Sequence, residues 1–521
     1  MNIWQIAREY AGLAEAGGVK NVVCSLSEGL QKLGHKVTLF IPLYGCTDLS
    51  CVSNYTEDKE MSLEVFVGER YYKVFYGFGK LNNVDLVFII SDCYTEKQGV
   101  YTYTEAEEKI NPSCVRGKGH HDALENEIMF QKAVIDFGKK HFPSPDVVHC
   151  HDATAALIPC FAHLTENQNF YAKTNFIVTI HNAGPAYHHE INGYDKAKKL
   201  TNLPDEMLQQ GLLGHLIEPY LLCSNYCKLT TVSPWYADEI TDPNNENTQG
   251  LSKALYEKNI KIYGITNGID FERYNPEYPE KSCLPYQYSP QNGDLEGKYR
   301  TRANFFDYFN ELSLEDEKKA AIFLQEGLRQ NGYLESFNKD TVIFSYHGRL
   351  VHQKGLEILE KAIPKCLEQN SNIRFIITGQ GDPYLERQQI ALANNFRGKV
   401  LYLRGYNKAL ARVCVAISDY IVLPSFFEPC GLEDFIASIL GTIPLAHKTG
   451  GLQKIIDNST GFLYAPNTAD ILKEQILSLI DFKNQNESKF FEMIKQASQE
   501  IKNIYDWEKV IINEYIPLYY N

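Results

Sequence analysis

Short apolar runs rich in Val, Ile and Thr alternate with longer amphipathic stretches through most of this chain, and that alternation leaves few folds open. "KVTLFIP" (36–42), "VDLVFII" (84–90), "DVVHC" (146–150), "NFIVTI" (175–180) and "KLTTV" (228–232) read as buried strands, with "MNIWQIA" as a first strand before them. Their β-branched content and turn-rich flanks favour strand over short helix. "NVVCSLSEGLQKLG" (21–34) places apolar residues at helical spacing and stops at Gly34, a residue suited to a helix C-terminus. Strand, helix, strand in that order predicts a parallel sheet with helices on both faces. The rhythm restarts with "TVIFSYHG" (341–348), "IRFIITG" (373–379), "KVLYLRG" (399–405), "YIVLP" (420–424) and "TIPLA" (442–446).

The fold class expected is therefore α/β, in two Rossmann-like halves. They join through the Pro-, Tyr- and Asn-rich stretch 270–294, which has no clear periodicity. Residues 311–338 read as a charged helical insertion, and 504–521 as an aromatic-rich amphipathic helix that docks on another element. With 521 residues the chain is too long for one core, and a net charge of −14 argues against broad contact with nucleic acid or an anionic membrane. No run of about 18 apolar residues predicts a membrane span. Thirteen cysteines without a CxxC pair, and no signal-peptide pattern, point to a cytoplasmic protein.

Four segments carry chemistry. "REYAGLAEAGGVKNV" (8–22) puts Gly12, Gly17 and Gly18 between a strand and a helix, but no Lys-Ser/Thr follows and no GxGxxG is present. What remains is either a backbone turn facing a ligand at a helix N-terminus or a tight turn made for packing. "DVVHCHDATAALIP" (146–159) gathers His149, His151 and Asp152 at a strand end, open to metal ligation or to hydrogen bonding; "TIHNAGPAYH" (179–188) repeats the pattern with His181 and Asn182. In "YHGRLVHQKGLEILEKAI" (346–363), Arg349 and Lys354 open a helix, which suits a diphosphate or, equally, a solvated charge pair. In "LPSFFEPCGLEDFIASILGTIPLAHKTGGLQKII" (423–456), Glu428 precedes a Pro-Cys-Gly turn, and a second glycine pair opens a later helix.

Through these motifs the chain resembles the bacterial glycogen synthases and plant starch synthases, glycosyltransferase family five. The match includes "HKVTLFIPLYG", "PDVVHCHDATAALIP", "VTIHNAG", "LTTVSPWYADEI", "GITNGIDFERYNP", "GRLVHQKGLEIL", "TGQGDP", "VLPSFFEPCGL", "GTIPLAHKTGGL" and "STGFLY", running from residue 1 to about 520. The resemblance implies the GT-B architecture. Residues 1–272 would form an acceptor-side Rossmann-like domain, 273–500 a nucleotide-sugar donor domain facing it across a cleft, and 501–521 a helix crossing back to the first domain, with Trp507 near the hinge. It implies retaining transfer of glucose from a nucleotide-glucose such as ADP-glucose to the non-reducing end of an α-1,4-glucan. No cofactor, metal, nucleic-acid or membrane partner is expected.

By the same resemblance Arg349 and Lys354 neutralise the departing diphosphate, Glu428 orients the donor sugar, and Asp152 and His181 lie near the reacting carbon and the sugar's 6-hydroxyl. Cys430, Gly431 and Leu432 give backbone N–H groups to sugar hydroxyls. Thr449, Gly450 and Gly451 meet the diphosphate, Tyr406 stacks on adenine, and Asn267 belongs to the site. Gly17 and Gly18 match the family's N-terminal loop, but Glu15 stands where that loop has lysine. A carboxylate about 4 Å from a phosphate is repelled by roughly 4 kcal/mol at an effective dielectric near 20. Glu15 therefore either accepts from sugar hydroxyls while Lys20 or Arg8 supplies charge, or marks a loop that has lost its donor contact. Other departures are Asn21 for Asp, Ala153 for Trp, Glu433-Asp434 for Thr-Gln, His447-Lys448 for two arginines, and a longer segment at 306–340.

Overall fold

A computed structural model describes residues 1–310 and 328–520. The chain forms two compact units, Met1–Asn267 with Val510–Asn521, and Gly268–Lys509. Among the described residues no helix is long and apolar enough to cross a membrane.

The first unit is built on β1 (Asn2–Ile6), β2 (Lys36–Pro42), β3 (Ser53–Val67), β4 (Arg70–Leu81), β5 (Val84–Ile90), β6 (Val147–His151) and β7 (Asn175–Ile180). A small antiparallel sheet of β8 (Ile191–Asn192), β9 (Leu212–Leu213) and β10 (Leu216–Ile217) follows, then β11 (Lys228–Thr231) and β12 (Ile262–Gly264). The large sheet runs β12-β11-β7-β6-β1-β2-β5-β4-β3. It is parallel from β12 to β5, and β3 and β4 continue it as an antiparallel hairpin. The parallel strands therefore reverse direction of growth between β1 and β6, the switch point where open α/β sheets bind ligands.

Local chemistry explains the elements. In the helix Val19–Lys32, Val22, Val23, Leu26 and Leu30 form the buried stripe. The helix ends because Gly34 takes φ +85° and donates to Gln31 O while His35 donates to Leu30 O. Gly138, in the helix Ala123–His141, lies so close to the Trp4 ring that a Cβ there would overlap it. The returning tail joins this unit through side chains: Tyr519 OH lies 2.8 Å from His149 Nδ1, and Asn175 Nδ2 and Lys228 Nζ each donate to Leu518 O at 3.2 Å.

The second unit contains β13 (Arg329–Gly332), β14 (Val342–His347), β15 (Ile373–Gly379), β16 (Val400–Arg404), β17 (Tyr420–Leu423), β18 (Ile443–His447) and β19 (Phe462–Tyr464), in the order β13-β16-β15-β14-β17-β18-β19. Strands β14 to β19 are parallel and repeat the nucleotide-binding 3-2-1-4-5-6 order, with the switch between β14 and β17. Of the expected helical insertion, residues 311–327 lie outside the described residues. Residues 329–332 are strand instead: they pair antiparallel with β16, an edge site that a charged, weakly apolar segment can fill.

Candidate active site

In the first unit, three strand ends bring the sequence candidates together. The loop after β1 is organised by acids. Glu9, 1% exposed, accepts from Ala16 N at 2.9 Å and Gly17 N at 2.6 Å. Glu15 accepts from Gly12 N at 2.7 Å and pairs with Lys20 Nζ at 2.5 Å. The charge of Glu15 is thus balanced within the loop. The Gly17 N–H, one of the amides expected to face a ligand, is held by the Glu9 carboxylate. Gly18 is exposed, with nothing within 4 Å of where a Cβ would stand. Arg8 does not supply charge to a ligand either. It is buried, bonded to Tyr44 OH at 2.8 Å, Glu127 at 2.5 Å and Val100 O at 2.7 Å. His189 Nδ1 lies 3.0 Å from the other Glu127 oxygen.

Asp152, directly after β6, has φ +61°, a left-handed backbone that an aspartate adopts at a cost. Its carboxylate accepts from His181 N at 2.8 Å. Burial pushes its pKa up to about 7, aided by Glu9 and opposed by the backbone N–H groups of His181 and Asn182. His181, after β7, faces His151 at 2.9 Å, and His151 faces Gln5 at 2.8 Å. Burial lowers the His181 pKa to about 3, so it is neutral and presents an imidazole rather than a cation. Both ring nitrogens of His149 are engaged, by Tyr519 and Thr179, so the hydrogen-bonding reading of the His-x-His motif is the one seen. Asn267 is buried, and its Oδ1 has no hydrogen-bond partner among the described residues.

Among the described residues, the ligand atoms of His188, Glu190 and Glu218 approach within 4.8 Å of one another. His188 Nδ1 lies 3.2 Å from Glu218 Oε2; that carboxylate outweighs burial to raise the His188 pKa, and burial raises that of Glu218.

In the second unit the candidates gather at the switch point. Lys354 follows β14 and Glu428 follows β17; Lys354 Nζ lies 2.5 Å from Glu428 Oε2, which also accepts from Ser425 Oγ at 3.2 Å. Gly355 directly after Lys354 has φ +65° and packs on the Pro424 carbonyl, where no Cβ would fit. Gln353 Nε2 donates to Phe427 O at 3.0 Å, adding a second tie between the loops after β14 and β17. Arg349 is exposed, and its carbonyl accepts from Tyr346 OH at 3.0 Å, which fixes the loop under it.

The β18 loop joins the same cluster. Gly451 N donates to Glu428 O at 2.8 Å and Thr449 Oγ1 to Phe426 O at 3.3 Å, while Gly450 takes φ +41°. Cys430, followed by Gly431 and Leu432, lies against Gly451, where a Cβ would overlap the Cys430 carbonyl. Tyr406, 71% exposed, follows Gly405, whose N–H donates to Gly379 O at 3.3 Å. Sequence reading missed Lys454, which sits under these loops. It lies one helical turn beyond the glycine pair, and its partners Cys430 and Asp434 are some twenty residues upstream.

The arrangement offers cations and backbone amides for a diphosphate beside a carboxylate and glycine loops for a sugar. The family described as "Starch synthase catalytic domain" matches residues 2–257, and "Glycosyl transferases group 1" matches residues 334–499. The glycogen synthase of Thermodesulfovibrio yellowstonii is 31% identical, with 100% of this chain and 97% of the relative covered. That of Flavobacterium johnsoniae is 29% identical over 88% of this chain and 85% of the relative. The structure of the catalytic domain of starch synthase IV from Arabidopsis thaliana, bound to ADP and acarbose, shares the fold with a TM-score of 0.78 at 24% identity, covering 100% of this chain and 98% of that one. By sequence the chain belongs to the glycogen and starch synthase family of glycosyltransferases.

Proposed function

We propose that this protein is a retaining glucosyltransferase that moves glucose from ADP-glucose to the non-reducing end of an α-1,4-glucan, as a cytoplasmic enzyme. The observation that carries the reading is the Lys354–Glu428 pair at the β14/β17 switch point, bound into the glycine loops after β17 and β18. As the glycosidic bond to the nucleotide breaks, negative charge builds on the diphosphate. Arg349 and Lys354 are assigned to that charge, where fixed cations act most strongly in the transition state. Glu428, Cys430, Gly431 and Leu432 are assigned to the donor sugar, Thr449, Gly450 and Gly451 to the diphosphate, and Tyr406 to the adenine. In the first unit His181, neutral by burial, and Asp152 are assigned to sugar hydroxyls, and Asn267 Oδ1 to a hydroxyl that satisfies it. Gly17 and Gly18 line the acceptor-side loop, and Glu15 holds that loop closed on Lys20. The glycogen synthases and the ADP-bound starch synthase among its relatives support this donor and this acceptor.

The test is release of ADP from ADP-glucose with glycogen present, run beside UDP-glucose and with Arg349→Ala. The expected result is glycogen-dependent ADP release that is faster than UDP release and lost in the variant. ADP release that is independent of glycogen, or unchanged in Arg349→Ala, overturns the reading.

A further inference from the structure

Lys454 is a buried cation beneath the second unit's loops. Its Nζ lies 2.5 Å from Cys430 O, 3.0 Å from Gly431 O, 3.1 Å from Gly451 O and 3.0 Å from Asp434 Oδ2. Both charged side chains are buried, at 1% and 3% exposure, and the ammonium also faces the Phe435 ring at 4.4 Å. An ammonium carries three N–H donors, so these acceptors share all of them. The two loops that meet at this cation are those whose backbone the proposed donor site uses.

The planar peptide gives these contacts a direction. In a trans peptide the carbonyl of one residue and the N–H of the next point in opposite directions. Cys430 O and Gly431 O point inward to Lys454, so the N–H groups of Gly431 and Leu432 point away from it. Gly431, at φ +78°, leaves no room for a side chain: a Cβ would stand 3.1 Å from Asp434 Oδ1, 3.2 Å from Lys454 Nζ and 2.9 Å from Leu452. The ion pair thus occupies the space beneath the loop and sets which way its amides face.

We propose that Lys454, held by Asp434, is a positioning residue that locks the loops 430–432 and 449–451 into one cradle and directs the Gly431 and Leu432 amides toward the donor. The inference rests on the reading of this site as the nucleotide-sugar site. Neither residue touches the reacting atoms. Their effect is confined to donor binding and to the transition state, with the acceptor untouched.

The test uses the full chain with Lys454→Met and the milder Lys454→Gln, which keeps two N–H donors. Kinetics with ADP-glucose and glycogen are combined with calorimetric titration of ADP. The expected result for Lys454→Met is a KM for ADP-glucose and a Kd for ADP each raised about tenfold, with the KM for glycogen within about twofold. Lys454→Gln should fall between it and the unaltered protein. Donor parameters within twofold of the unaltered protein in a folded Lys454→Met overturn the proposal, as does failure of both variants to fold, which would assign the pair to the core. An unaltered protein that binds ADP but transfers no glucose would overturn the proposed function and leave the cradle to be judged on the ADP affinities alone; one that does not bind ADP overturns both.

Discussion

Asp152 in the first unit and the Lys354–Glu428 pair in the second show how differently single residues are tuned. The Asp152 pKa, pushed up to about 7, lies above the value near 3.9 of an unfolded aspartate. Between those limits the folded state holds the extra proton, so this group's contribution to stability falls as pH rises from about 4 to about 7. Asp152→Asn cannot ionise. It is expected to gain at most about 4 kcal/mol in urea unfolding at pH 8 and almost nothing at pH 4, while transfer activity is lost. A gain that is equal at both pH values would remove the ionisation argument. For Lys354 the expectation is catalytic: Lys354→Ala should lower kcat with ADP-glucose by about 100-fold or more, the scale of losing one fixed group that stabilises transition-state charge. A steady-state assay that finds the loss only in KM would move Lys354 from the transition state to ground-state binding. Much of this was legible in the sequence, because Arg349, Lys354 and Glu428 stand in short local motifs. The role of Glu15 was not. Its partners Gly12 N and Lys20 are near in sequence, but only the folded turn shows that they neutralise it.

At the level of elements, the central strands could be read directly, since "VDLVFII" and "NFIVTI" are continuous apolar runs that coincide with β5 and β7. The hairpin β3–β4 could not. Its outer strand reads "SNYTEDKEMSLEVFV", a charged edge in which register shifts between Ser53 and Thr56 and between Asp58 and Ser62 erase the alternation. Buried ionic ties were equally invisible, because their partners are distant in sequence. Asp419, at the start of β17, is fully buried and binds Arg302 at 2.8 Å, Lys483 at 3.0 Å and Ile343 N at 2.9 Å. Despite burial, those cations hold its carboxyl below the usual aspartate range. Its stabilisation is complete above about pH 4 and is lost as pH falls through the lowered folded pKa. Asp419→Asn would leave Arg302 buried and unpaired, and should cost about 3 kcal/mol in denaturant unfolding of the second unit at pH 7. A cost below about 1 kcal/mol would show that the two cations are solvated by other groups.

At the level of the whole molecule, the chain builds two units and then returns its last residues, Val510–Asn521, to the first of them. Those residues are not a loose end. Val510, Ile511, Leu518 and both Tyr515 and Tyr519 are buried, and a Cβ on Gly29 would overlap Ile511, so the helix Val19–Lys32 has a glycine where the tail lies on it. Full burial of each large apolar side chain contributes roughly 1.5–3 kcal/mol at most, which makes the tail worth several kcal/mol to a unit of ordinary marginal stability. Truncation after Lys509 also removes Tyr519 from the His149 ring and uncovers a polar group buried in the sheet. The two units should give separable transitions in differential scanning calorimetry, and Asp419→Asn identifies the one that belongs to the second unit. Truncation is expected to lower the other transition by about 10 °C or more and to leave the transition marked by Asp419→Asn in place. If truncation shifts both transitions together, the units unfold as one cooperative body and the tail stabilises the molecule as a whole. If it shifts neither, the burial of these five side chains contributes nothing that the first unit needs.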